Sequence, residues 1–295
     1  MVENRTKARV VQTIMHIVLG VFAVACIYPV LLMISVSFTD SAAIYEYGYS
    51  VIPRQISTLA YEYILKNPAR LLSGYAVTAF VSLGGGLFSL VITSMIAYPL
   101  SRPDYRYRRI VNLYVFLTML FNGGMVPTYM VIVNVLGLKD NILVLILPYA
   151  AMAWNILLLR SFFAAIPLDI IEAAKIDGAG EVRTFVQIVI PLSKPGLASV
   201  GFLIVLRYWN DWWLSMLYIM DGNLQSLQYK LYTLMKGIEE LAKDAMVSGT
   251  VDVINFPSES ARMAMAFMSI APVLFLFPFF QKYLVKGITV GAVKG

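Results

Sequence analysis

The chain has 295 residues, 59% of them hydrophobic and only 14% charged, with a mean hydropathy of +0.75 and a net charge of +6. Soluble domains hold about 45–50% apolar and about 25% charged residues, so this composition excludes an ordinary water-soluble protein and places the chain in a membrane. A single cysteine, Cys26, and a single histidine, His16, exclude a disulfide framework, a zinc site and an Fe–S cluster.

Runs free of Asp, Glu, Lys and Arg, long enough to cross about 30 Å of hydrocarbon, cover residues 10–39, 71–101 and 110–138. Three more follow at 141–159, 195–220 and 263–281, the second of them interrupted by Arg207 and Asp211. The reading is an all-α, polytopic membrane protein with six transmembrane helices in one domain, residues 1–295. Arg5, Lys7 and Arg9 before the first run resemble a signal peptide, but a cleavable apolar region is only about 7–15 residues long, so an uncleaved first span is expected. Six spans put both termini on one side. That side carries fourteen Lys and Arg residues against eight on the other, and the positive-inside bias makes it cytoplasmic. The basic balance thus reflects topology, and no nucleic-acid surface is inferred from it.

In chain order, the outer loop 40–70 reads either as a cap over helix ends or as a docking face for a soluble partner. Ser82, Gly84, Gly85 and Gly86 lie within a span with no Lys-Ser/Thr pair after them, so they form no phosphate loop and serve close helix packing. Asn122, Gly123 and Gly124, with Pro127, interrupt the third run. Such a break lines a substrate path or marks an early helix end.

The segment 160–194 is cytoplasmic by this topology and too patterned for a linker. Pro167 and Asp169 open a helix, Gly178 ends it, and Ile170, Ala173, Ala174 and Asp177 share one small, mostly apolar stripe. By pattern alone the helix either rests on the membrane surface or seats in a groove of another protein. In the fifth run Arg207 and Asp211 stand one turn apart, able to pair while facing a cavity beside Asn210; Trp209, Trp212 and Trp213 instead suggest an interfacial aromatic belt. The outer loop 221–262, with a helix-like stretch from Tyr229 to Met246, repeats the choice between cap and docking face.

Glu172-Ala173-Ala174, then Gly178, then Ile188 and Pro191 resemble the E-A-A-x3-G-x9-I-x-L-P signature of permease subunits in binding-protein-dependent ABC importers. One position departs, Ile190 standing where the family has Leu, a near-isosteric exchange. The resemblance covers the whole chain and is strongest from Leu71 onward, including LFNGGMVPTYM, RYWNDWW and the tail QKYLVKGITVGAVKG. It is similar to the carbohydrate branch, the second permease of maltose-type importers and permeases for complex oligosaccharides.

The resemblance implies an ABC importer permease fold in a bacterial cytoplasmic membrane, with Glu172, Ala173, Ala174, Asp177, Gly178, Ile188 and Pro191 in the ATPase-coupling segment. It implies as partners a second homologous permease, two ATPase subunits and an extracytoplasmic solute-binding protein, which the 221–262 loop would touch. With no phosphate loop or catalytic carboxylate pair of its own, the chain is expected to be no enzyme and to hold no cofactor, ATP being bound by the partner. The translocation path would involve Asn122, Gly123, Gly124, Arg207, Asn210 and Asp211. The alternative is an ion-coupled secondary transporter, for which Arg207 and Asp211 are the only titratable candidates and no internal repeat is visible. An intramembrane hydrolase would have only His16 to work with.

Overall fold

A computed structural model describes residues 2–248 and 258–292, and the described elements are helical, with one isolated bridge between Thr39 and Ile56. Part of the 221–262 loop, and the end of the tail beginning at Gln281, lie outside the described residues. Helices are what a chain of this composition must form, because hydrocarbon supplies no water to satisfy backbone N–H and C=O groups.

The elements are α1 (Val2–Ser37), α2 (Ser41–Tyr47), α3 (Leu59–Ile64), α4 (Pro68–Ser101), α5 (Arg108–Leu120) and α6 (Met125–Val135). Two 3-10 turns, Ile142–Leu145 and Leu147–Tyr149, lead into α7 (Ala153–Ala164) and α8 (Leu168–Ile176). Then come α9 (Glu181–Leu192), α10 (Lys194–Trp209), α11 (Trp213–Tyr218), α12 (Leu227–Ser248) and α13 (Ser258–Ala292). Within α1, α4 and α13, three stretches are long and apolar enough to cross a membrane unaided. Three bent pairs, α5–α6, the 3-10 turns with α7, and α9–α10, bring the number to six if each counts as one span.

The bends revise the expected boundaries. The third run breaks between Leu120 and Met125 with a 111° change of direction, and the fourth is 3-10 in its first half and turns by 52° before α7. That helix continues to Ala164, past residue 159. The fifth run stops as a helix at Trp209, and α9 meets α10 at 83° around Ser193, between Pro191 and Pro195. Proline lacks the N–H that a continuous helix would use, so two of them so close favour a bend.

The chain divides into two compact units. The first, Met1–Pro68 with Thr233–Ala271, holds the end of α1 together with α2 and α3. Val36, Ala43, Ile44, Ala60, Ile64, Ala261, Ala264 and Met265 are buried in it. Its polar groups are locally paired: Asp40 caps α2 through Ala42 N, and Tyr49 donates to Glu259 at 2.8 Å. The 40–70 segment thus holds two short helices, α2 and α3, with polar pairings of its own. Ile17, Val18, Leu19 and Phe22 along α1 are exposed, an apolar surface suited to lipid and untenable in water.

The second unit, Ala69–Tyr232 with Pro272–Gly295, packs α4 against α7 and α10 around Val144, Leu159, Val200, Ile204 and Tyr208. A five-residue π-helical stretch, Val81–Gly85, sits within α4. A Cβ at Gly86 would come 2.9 Å from a Val205 methyl, and one at Gly85 3.1 Å from Ile146, so these two glycines do serve close packing; Gly84 is exposed and does not. The irregular fourth span leaves carbonyls free of the helix ladder. Tyr208 donates to the Ile146 carbonyl at 2.8 Å, and Ser89 reaches those of Tyr149 and Ala150.

Candidate functional site

Two regions gather the candidate residues. The first is α8. Pro167 precedes it, Asp169 lies in its first turn and Lys175 in its last, the charge order the helix dipole favours. It ends in a Schellman turn: Gly178 N bonds to Lys175 O at 3.0 Å and Ala179 N to Ala174 O at 2.9 Å, with Gly178 at φ +78°, a conformation that suits glycine. Of the small, mostly apolar stripe only Ala174 turns inward. Ile171 and Ala174 are buried, whereas Ile170, Glu172, Ala173, Asp177 and Gly178 are exposed, and Ile176 is 86% exposed. The helix rotates its larger Ile171 inward because that side chain, rather than Ala173, has core to fill. Ile188 is half-buried in the π-helical part of α9, and Pro191 is exposed near its end.

An ionic cluster joins α8 to its neighbours. Lys175 Nζ donates to Asp104 Oδ2 at 2.8 Å and pairs with Glu181 Oε1 at 2.9 Å; Arg102 Nε lies 3.3 Å from the other Asp104 oxygen, and Tyr98 donates to Glu181 Oε2 at 2.7 Å. The Lys175 ammonium holds the Asp104 carboxyl below the usual carboxylate range, and the same hydrogen bond raises Lys175. Sequence reasoning assigned no role to this cluster. Its members are 83 residues apart at the widest pairing, Tyr98 with Glu181, and nothing local marks Asp104 as the partner of Lys175, 71 residues away.

The second region follows α10. Leu203, Leu206, Arg207, Asn210, Asp211, Trp212 and Trp213 line a cleft of about 380 Å³. Arg207 and Asp211, able by their spacing to pair with each other, meet on Tyr149 instead. The guanidinium lies over that ring at 4.5 Å, and the Tyr149 hydroxyl donates to Asp211 Oδ1 at 2.7 Å. Asp211 Oδ2 also accepts from Leu214 N, opening α11, while Asn210 donates to the Leu206 carbonyl. The helix ends at Trp209, so Asp211 leaves the i, i+4 geometry that would have set it over Arg207. Trp212 stacks on Tyr232 with ring centroids 5.0 Å apart. Charged, amide and aromatic groups therefore share one wall.

Asn122, Gly123 and Gly124 do not line that cleft. They form an exposed break in which Asn122 Oδ1 accepts from Gly124 N at 2.9 Å and Gly124 takes φ +85°. The expected path residues thus separate into two places. Tyr149 was missed, because an aromatic residue in an apolar run carries no local sign of a polar role. Among the described residues no group of three or more His, Cys, Asp and Glu could hold a metal ion.

Residues 77–290 match the family described as binding-protein-dependent transport system inner membrane component. The chain is 34% identical to the polygalacturonan/rhamnogalacturonan transport system permease protein YtcP of Bacillus subtilis, over 98% of this chain and 100% of that protein. It is 29% identical to the trehalose/maltose transport system permease protein MalG of Thermococcus litoralis, over 92% and 93%. A chain in the crystal structure of a bacterial ABC transporter involved in the import of the acidic polysaccharide alginate superposes with a TM-score of 0.77 at 31% identity, covering 94% of this chain and 97% of that one. The chain therefore belongs to the family of binding-protein-dependent transport system inner membrane components, the permeases of sugar ABC transporters.

Proposed function

We propose that this chain is one permease subunit of an ATP-driven importer that moves a saccharide, delivered by an extracytoplasmic binding protein, across the bacterial cytoplasmic membrane. It works beside a second, homologous permease and two ATPase subunits. Six spans form one permease domain with both termini cytoplasmic, and the segment 160–194 faces the ATPase. The observation that carries the reading is α8: a short helix anchored by Ile171 and Ala174, with Ile170, Glu172, Ala173 and Ile176 exposed on its other sides. Such a face suits a protein groove: Glu172, Ala173, Asp177 and Gly178 would seat in a cleft of the ATPase, with Ala174 holding the coupling helix from its inward side. Ile188 and Pro191 carry the motion into the bend between α9 and α10.

ATP is bound by the partner, whose closure swings α8, and this chain supplies the moving helices and part of the path. The cleft at Arg207, Asn210 and Asp211 is a stage of that path. Its amide and charged groups can hydrogen-bond sugar hydroxyls, and Trp212 offers a flat apolar face to a sugar ring. Two relatives are named for acidic polysaccharides or their transport, and the Arg207 guanidinium supplies a cation for a uronate carboxylate.

The reading is tested by gently extracting the tagged chain from its native membrane and identifying the subunits that accompany it, with and without Glu172→Lys and Gly178→Val. An ATPase and a second permease should co-purify with the parent, and the ATPase should be lost from both variants. A chain that comes out alone and still moves solute after reconstitution would overturn it and turn attention to Arg207 and Asp211 as an ion-coupling pair.

A further inference from the structure

We infer that Lys175 is a positioning residue for energy coupling, the strut through which displacement of α8 reaches α4. The inference rests on the importer reading above. Two buried side chains, Ile171 and Ala174, join α8 to the core, and both emerge on one line of the helix. A helix held along one line can rock about it when pushed. Lys175, one position past Ala174, supplies attachments off that line. It bonds to Asp104 at 2.8 Å and to Glu181 at 2.9 Å. Each carboxylate is braced in turn from α4 or just beyond it: Asp104 by Arg102, whose side chain is only 7% exposed, and Glu181 by the Tyr98 hydroxyl at 2.7 Å. Tyr98 is itself buried within the core and packs on Phe185 of α9, with ring centroids 5.0 Å apart.

Five side chains thus connect α8 to the end of α4 by two parallel routes, one through Asp104 and Arg102, the other through Glu181 and Tyr98. Salt bridges as exposed as these contribute little to folding stability, since Lys175 and both carboxylates remain partly hydrated. A network that adds little stability yet fixes the angle of a protruding helix acts on coupling. Removing it should leave the chain folded and the ATPase docked, and break the transmission between them.

The experiment uses the purified complex of this chain with its accompanying subunits in lipid nanodiscs. Cys26 is replaced by Ser, and Leu203→Cys on the cleft wall reports access to a membrane-impermeant maleimide, with ATP plus vanadate as the probe. In the parent, trapping with ATP and vanadate should change the labelling rate. In Lys175→Met that response should fall about fivefold or more, while ATP hydrolysis and co-purification of the ATPase persist, and Lys175→Arg should restore it. A full response in Lys175→Met overturns the inference, and so does loss of the ATPase from that variant, which would make Lys175 a docking residue. Failure of the parent itself to bring down an ATPase or respond to ATP would instead overturn the importer reading, and this inference with it.

Discussion

The Tyr149 hydroxyl donates to Asp211 at 2.7 Å while the Arg207 guanidinium lies over the same ring, 4.5 Å from its centroid. One residue from the irregular fourth span thereby anchors two opposite charges at the end of α10. Unpaired charges in a membrane chain are costly, and this arrangement lets them stand at a cleft without lying against each other.

Tyr149→Phe keeps the ring beneath Arg207 and removes the hydroxyl donor, so the complex should lose about 1–3 kcal/mol of stability, read as a lower midpoint in thermal unfolding in detergent. Tyr149→Ala removes both contacts and should lower the midpoint further. Replacing Arg207 with Gln and Asp211 with Asn together should do less harm than the summed single changes, because the two share one anchor. Strictly additive losses would show that Tyr149 does not couple them.

A second tether lies in the same unit. Asp140 is a non-glycine residue at φ +58°, and its Oδ1 accepts from the backbone N–H groups of Met220 and Asp221, both at 2.9 Å. Its own N–H bonds to the Tyr218 carbonyl. Asp140→Ala should remove two hydrogen bonds to one oxygen and leave a strained backbone, a loss of about 1–3 kcal/mol. Asn tolerates the left-handed region and keeps an acceptor, so Asp140→Asn should recover most of that loss. Equal midpoints for the two variants would contradict the tether.

The apolar runs were legible because hydrocarbon demands long uncharged stretches, and the helix from Pro167 to Gly178 because proline, an early acid and a following glycine punctuate it. The bends were not. The run from Ile110 to Leu138 is uniform in charge, and only Asn122-Gly123-Gly124 hints that its axis turns by 111°. The fourth run carries only Pro148 as a mark, and its 3-10 backbone is satisfied by Tyr208 and Ser89 from distant segments. Periodicity grouped Ala174 with Ile170, Ala173 and Asp177, and only the surrounding core selects Ile171 to join Ala174 on the inward side. The Lys175 cluster and the Tyr149 anchor both join residues about 60–80 apart, beyond the reach of local pattern.

At Gly178 the backbone holds φ +78° with open space where a Cβ would stand. The consequence of a side chain is therefore conformational, not a clash. Gly178→Val should strain the turn by about 1–2 kcal/mol and unwind the Schellman bonds to Ala174 and Lys175. Gly178→Asn, better suited to the left-handed region, should be milder. Insertion should be equal in both, and ATP-driven uptake should fall much further in the valine variant; equal uptake would remove the turn from the coupling mechanism.

The Lys175 cluster also sets an expectation for pH. The groups facing the ammonium are Asp104 and Glu181, with Arg102 and Tyr98 behind them. Asp104 is shifted down, so its contribution is present above the ordinary carboxylate range and is lost only as pH falls through its lowered value. Lys175 is shifted up, so its contribution is complete below the ordinary lysine value and is lost only as pH rises beyond it. Both shifts widen the window in which the pair stays ionised. ATP-driven labelling of the cleft should accordingly be flat between about pH 6 and 8 as far as this cluster sets it, with loss only in acid below about pH 4. A step near pH 7 that disappears in Lys175→Met would show that the ammonium loses its proton within the cluster, contrary to the two-carboxylate environment that surrounds it.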